Sequence, residues 1–129
     1  MNVLQPPTWA TPRGYANGVA ASGMQIFVAG QIGWNAQQVW VSDDLVTQVR
    51  QALQNVRTIL AEAGAAPSHI ARMTWYLVDR REYLARAREI GAVYREVIGS
   101  YAVAMTAIEV SALMEERAKV EIEVTAVLP

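Results

Sequence analysis

Residues Lys119 to Val127 alternate strictly. Val120, Ile122, Val124 and Ala126 point one way, and Lys119, Glu121, Glu123 and Thr125 the other. A period of two marks a half-buried strand, so the chain must contain a sheet with one apolar and one polar face. Leu45 to Ala63 follows a different rule, with apolar residues at 45, 49, 52, 53, 56, 59, 60 and 63. That spacing is a helix with one broad buried stripe, the natural cover for the apolar side of such a sheet.

The remaining elements follow from similar signals. Ser42-Asp43-Asp44 offers an N-cap for the helix, and Gly64 followed by Pro67 ends it. His69 to Val78 and Ala102 to Val110 read as strands. Asp79 caps a second helix from Arg81 to Ile98, whose stripe is Tyr83 or Leu84, Ala87, Ile90, Tyr94 and Val97 or Ile98; Gly99-Ser100 closes it. Tyr15 to Ala21 and Gln25 to Ala29, separated by Ser22-Gly23, read as a hairpin. The first fifteen residues hold Pro6, Pro7 and Pro12 and read as an irregular lead-in. The expected order is β-β-α-β-α-β-β in one domain, residues 1–129. Two helices of this length cover only one face of a four- or five-stranded sheet. The expected fold class is therefore α+β, a two-layer sandwich with two helices on one face of a mixed sheet and the other face left to solvent or a partner.

Composition removes several function classes. With no cysteine, disulfides, thiolate catalysis and cysteine-ligated clusters are excluded, and one histidine, His69, makes a transition-metal site a poor expectation. The net charge of −1 comes without a basic run, so nucleic acid is not an expected partner. No apolar run is long enough for a membrane span, and the first residues lack a basic region followed by an apolar one; the expected location is the cytoplasm. Hydrophobic types nevertheless make up 53% of the chain, which suggests apolar surface covered by another subunit.

An ordered set of segments resembles the RidA (YjgF/YER057c/UK114) family. These are Gln25-Ile-Phe-Val-Ala-Gly-Gln31, Gln48-Val-Arg-Gln-Ala-Leu-Gln-Asn-Val56, Ala63-Gly64 with Ile70, Met73, Thr74 and Asp79, Ala107-Ile-Glu-Val110, and Val120-Glu-Ile-Glu123. The resemblance covers most of the chain. It implies a chorismate-mutase-like fold, a homotrimer with a barrel core and small-molecule clefts between subunits, and hydrolysis of enamines or imines such as 2-aminoacrylate without a cofactor. It also implies an arginine holding the substrate carboxylate, a glutamate on the last strand that orients water, and a pocket tyrosine.

Glu121 occupies the glutamate position and is the candidate catalytic residue; a solvated strand glutamate is the plainer alternative. Met105, in Ala104-Met105-Thr106-Ala107, stands where the family has its arginine. Methionine offers a soft apolar surface and cannot pair with a carboxylate. It is either core or a pocket wall, with Thr106 beside it as a further binding candidate. Tyr15 follows Gly14 and matches the pocket tyrosine, although the family's intervening proline is missing; with Asn17 it can donate to a ligand, or it anchors the N-terminal segment. Arg13 and Arg117 are candidates for a relocated clamp. Trp34, Trp40 and Trp75 suit either an apolar pocket or subunit packing, and Trp34 is the binding candidate among them. Arg80, Arg81, Arg86 and Arg88 alternate with acids and read as a solvated helix face.

Two functions follow as expectations. One is a divergent deaminase for a substrate larger or more apolar than 2-aminoacrylate, such as a 2-aminomuconate-like compound. The other is a trimer that binds a small metabolite without turnover.

Overall fold

The computed structural model describes residues 1–100 and 102–129. Its elements are β1 (Asn2–Leu4), β2 (Gly18–Ala20), β3 (Met24–Gln31), α1 (Leu45–Glu62), β4 (Ile70–Leu77), α2 (Arg80–Ala85), α3 (Ala87–Val97), β5 (Ala104–Glu109) and β6 (Val120–Leu128). The main sheet has the order β3-β6-β4-β5. β6 runs antiparallel to both β3 and β4, while β4 and β5 are parallel, so the sheet is mixed. α1 lies over β3 and β6 and packs along α3. The helices therefore share one face of the sheet, and the α+β reading holds.

The core forms between these layers. Val49, Leu53, Val56 and Leu60 of α1 and Ile90, Val93 and Val97 of α3 close on Val28, Met73, Trp75, Val120, Ile122 and Val124 of the strands. The alternation read in the last strand is present: Val120, Ile122, Val124 and Ala126 are buried under the helices. Burying each such side chain contributes roughly 1.5–3 kcal/mol.

Three local expectations need correction. The segment near Tyr15–Ala21 does not form a hairpin with Gln25–Ala29. Its strand, β2, pairs instead with β1, Asn2 opposite Ala20 and Leu4 opposite Gly18, inside the stretch read as an irregular lead-in. β3 finds its partner at the far end of the chain, in β6. The second helix is not continuous, since α2 ends and α3 begins at Arg86. The Arg86 guanidinium is also not simply solvated: Nη1 donates to Asp44 Oδ1 at 3.0 Å, and Nε and Nη2 donate to Glu89 at 2.7 and 2.9 Å. The break thus sits where one side chain ties the start of α3 to the N-cap of α1.

One buried polar residue joins distant parts of the chain. Gln48 on α1 is fully buried. Its Nε2 donates to the carbonyls of Ser42 and Arg117, each at 3.0 Å, and its Oε1 accepts from Lys119 N at 2.8 Å. The loop before α1 and the entry to β6 are both held by this carboxamide. A Cβ at Gly33 would collide with the Gln48 side chain, so glycine lets that loop close over it.

Gln48→Leu keeps the volume but leaves three partly buried main-chain groups without their partner, and it should destabilise the protein by roughly 1–3 kcal/mol in urea unfolding. The Arg86 cluster predicts a pH dependence. The main-chain N–H of Thr47, then Arg86, lower the pKa of Asp44 below its ordinary 3.8. The Arg86 guanidinium lowers that of Glu89 below 4.5. Carboxylates with lowered folded-state pKa stabilise above their unfolded values and lose that contribution as pH falls through the folded ones. Asp44→Asn should therefore lower Tm modestly at neutral pH, and the gap from wild type should close in acid below the ordinary carboxylate range.

Candidate functional site

Trp75 sits on β4 near the middle of the sheet and is 1% exposed. Tyr83 of α2 meets it edge-on with ring centroids 6.2 Å apart, and Tyr94 of α3 lies tilted at 6.5 Å. These rings, with Ile90 and Met105, wall a cavity of ≈ 510 Å³ between α3 and the β4–β5 side of the sheet. That size falls within the usual range for small-molecule sites. Its remaining lining includes Arg13, Gly14, Tyr15, Gly91, Arg95, Ser100 and Ala102.

The fold explains how each group arrives there. Parallel pairing sets Met105 opposite Met73, and the two lie on the helix-facing side of the sheet with Trp75. Met105 is thus both packed against the core and part of the cavity wall. The N-terminal segment runs beside the start of β5: Ala16 N donates to Val103 O at 2.8 Å, and Ala16 pairs with Ala104. This docking brings Arg13 and Tyr15 to the cavity. Arg95 comes from the last turn of α3. Its side chain returns along the helix toward Gly91, where an added Cβ would stand 3.4 Å from Nη1. Glycine inside a helix costs about 1 kcal/mol relative to alanine. Here it leaves room beside the helix for the Arg95 side chain.

The cavity's polar groups are unusual. Trp75 Nε1 and the Tyr94 hydroxyl are buried, with no hydrogen-bond partner among the described residues. Leaving such groups unmet costs roughly 1–3 kcal/mol each. Burial pushes the Tyr94 phenol up to about 12 and raises that of Tyr83, so both rings keep their protons. Among the described lining residues there is no carboxylate, while two guanidiniums are present. Neither Arg13 nor Arg95 forms an ion pair with any described residue.

The other candidates lie elsewhere. Glu121 is opposite Tyr76 on β6 and faces the open side of the sheet, away from Met105. Its carboxylate rests over Gly30, where any Cβ would overlap it. The β3–β6 pairing is irregular between Val28 and Gln31, so the glycine of Ala29-Gly30-Gln31 makes room for the glutamate at a β-bulge. Tyr76 donates to Glu123 at 3.3 Å on the same face, and burial followed by the neighbouring carboxylates raises its phenol pKa. Thr106 pairs with Thr74 on that face too. The Asn17 amide donates to Gln5 at 3.1 Å and does not line the cavity. Trp34 packs on Trp40 at 5.7 Å, and its carbonyl accepts from Asn55. Arg117 lies over the Trp40 ring and bonds Asp43 at 2.9 Å, which commits it away from the cavity. His69 Nδ1 accepts from Ala66 N in the turn before β4.

The cavity therefore gathers Arg13, Tyr15, Trp75 and Met105, and leaves out Asn17, Trp34, Thr106, Arg117 and Glu121. Sequence reasoning missed Arg95. The available signal was Gly91, a glycine inside a helix one turn before an arginine. Among the described residues, no cluster of three or more His, Asp or Glu could hold a metal ion.

A family model described as endoribonuclease L-PSP matches residues 8–128. The chain is 31% identical over 113 residues to the 2-iminobutanoate/2-iminopropanoate deaminase of Escherichia coli K12, covering 88% of this chain and 86% of that protein. Among solved structures, YyfB from Yersinia pestis, a Rid-family protein of unknown function, aligns with a TM-score of 0.88 at 33% identity, covering 98% of each chain. Escherichia coli TdcF with bound serine aligns with a TM-score of 0.71 at 25% identity over the whole of both chains. With the matched model spanning nearly all of its length and the fold shared throughout, this protein belongs to the RidA (YjgF/YER057c/UK114) family.

Proposed function

We propose that this protein is a divergent enamine/imine deaminase whose substrate is larger and more apolar than 2-aminoacrylate, with a 2-aminomuconate-like compound as one candidate. The observation that carries this reading is Met105 on the wall of an aromatic cavity beside Tyr15. A thioether among rings favours an extended apolar body over a small acid gripped at that position. The deaminase relative supplies the reaction type.

In the reaction, the enamine takes a proton on carbon to become an imine. Water adds to the C=N carbon, and the resulting carbinolamine expels ammonia as the C=O bond forms. Water has to be oriented and the leaving nitrogen protonated, work suited to a carboxyl group. Glu121 is the proposed group. Because it lies on the sheet face opposite Met105 in its own chain, the reading requires the cavity of one copy to meet the open sheet face of another. A homotrimer with clefts between subunits, as the family resemblance implies, would supply that arrangement.

The same separation favours a second reading. A chain whose glutamate and aromatic cavity stay apart binds a metabolite without converting it. Ligand binding with no ammonia release would support this alternative.

Wild-type protein should release little ammonia from freshly generated 2-aminoacrylate and more from bulkier imines. Met105→Arg should gain at least about tenfold on 2-aminoacrylate, because a guanidinium restores bidentate carboxylate pairing. Glu121→Gln should lose roughly 100-fold or more on the preferred imine. Efficient wild-type turnover of 2-aminoacrylate would remove the argument from Met105, and full activity of Glu121→Gln would remove Glu121 from the mechanism. Sedimentation should give the mass of three copies.

A further inference from the structure

Five methionines occur in the chain, and the fold gives them different surroundings. Met1, Met24 and Met114 are exposed, Met114 almost completely at 96%. Met73, on β4 beneath the helices, is sealed at 0%. Met105 stands opposite Met73 in the parallel register, yet it is only partly buried. The difference comes from the sheet order. β4 has a strand on each side, whereas β5 ends the main sheet, and there the cavity beside α3 reaches it. Met105 packs on the core and also lines that cavity.

We propose that Met105 is an oxidation site, at which a peroxide converts the apolar wall of the cavity into a polar one. A lone pair on its Sδ attacks one peroxide oxygen, and the S–O bond forms as the O–O bond breaks. The departing oxygen takes the proton of the transferred one and leaves as water. Sulfur is oxidised to the sulfoxide level, and hydrogen peroxide is reduced to water. The product is polar and chiral where the thioether was apolar. This deepens the proposed function, and it rests on that reading for the premise that the wall serves a ligand. An apolar body packed on the thioether loses that contact when a sulfoxide oxygen takes its place.

Three observations support the assignment. A cavity of ≈ 510 Å³ admits a molecule the size of hydrogen peroxide, and Met105 is the one methionine among its described lining residues. The same side chain is held against the core, so the oxidant approaches it from the cavity alone. One approach direction makes one of the two sulfoxide epimers the main product, whereas a freely rotating methionine gives both. Met73, finally, lies across the strand pair from Met105 but has no exposed surface. Oxidation therefore stops at the wall and spares the core, where a sulfoxide would disrupt packing.

Dilute hydrogen peroxide added to the intact protein tests this, with oxidation at each methionine followed by peptide mass spectrometry. Cleavage after Glu109 puts Met105 and Met114 on separate peptides. Met114 should oxidise first and Met105 next, with Met73 at least about tenfold slower than Met105. The peptides are then treated with either of the two sulfoxide reductases, which act on opposite epimers. One enzyme should restore nearly all of Met105 and the other almost none, while each restores about half of Met114. The oxidised protein should keep a cooperative thermal melt, which places the change at the wall. Its kcat/KM on the preferred imine should fall about tenfold. Met105→Leu, a swap of similar volume, should show the same kcat/KM before and after peroxide. Oxidation of Met105 no faster than that of Met73, or equal amounts of the two epimers at Met105, would overturn the inference. If imines are hydrolysed equally well before and after Met105 is oxidised, the deaminase reading stands and this inference fails. If no imine is hydrolysed at all, the deaminase reading fails, and the oxidation rates with the epimer ratio decide this inference alone.

Discussion

Alternation along β6, matched in β4 from Met73 to Leu77, is the constraint on which the molecule turns. Met73, Trp75 and Leu77 of β4 and Val120, Ile122, Val124 and Ala126 of β6 are committed to the helix layer, because that is where the apolar surface is buried. The intervening residues are committed to the open face just as firmly. Trp75 and Tyr76 are neighbours in sequence, yet they face different chemistry: one looks into an aromatic cavity, the other onto a surface with Glu121 and Glu123. Moving either would slip the whole register and bring charges into the core. The sheet therefore acts as a partition between its two faces.

The helix layer completes this arrangement. α1 is a buried support, fixed by the Gln48 carboxamide to both the preceding loop and the entry of β6. α3 is a wall, and its composition differs accordingly. It buries Ile90, Val93 and Val97 against the core but leaves toward the cavity a glycine and an arginine, Arg95, that forms no ion pair with any described residue. Arg86, at the junction of α2 and α3, ties that wall to the α1 cap through Asp44 and to its own first turn through Glu89. The pair is partly exposed, so its role lies more in orientation than in stability.

Much of this was legible in the amino-acid order, and what was not has physical reasons. α1 and β6 were readable because their period is local and sustained over many residues. The caps at Asp44 and Asp79 were readable because capping chemistry acts within three residues. The pairing of β1 with β2, and of β3 with β6, was not, since strand partners are chosen by tertiary fit and not by proximity alone. At the break between α2 and α3, Arg86 bonds a carboxylate over forty positions away in the chain. Tyr15 and Met105 were recognised as candidates, and both line the same cavity. Glu121 was recognised by its position, but period-two reasoning applied to β5 and β6 separately could not say that their candidates fall on opposite faces. That requires the parallel register of β4 with β5.

The N-terminal docking at Ala16 has an effect beyond placing Tyr15. It covers only the beginning of β5, the last strand on its side of the sheet. From Met105 onward, no described strand takes up the outward main-chain amides and carbonyls. Such a margin is a template for accidental strand addition, and proteins usually blunt it with charge, kinks or brevity. Here the strand is six residues long, and its terminal carboxylate, Glu109, accepts from Arg80 N. Ile108 remains substantially exposed beside it. A strand added at this short, thinly guarded edge would run along the same strand that sends Met105 into the cavity wall.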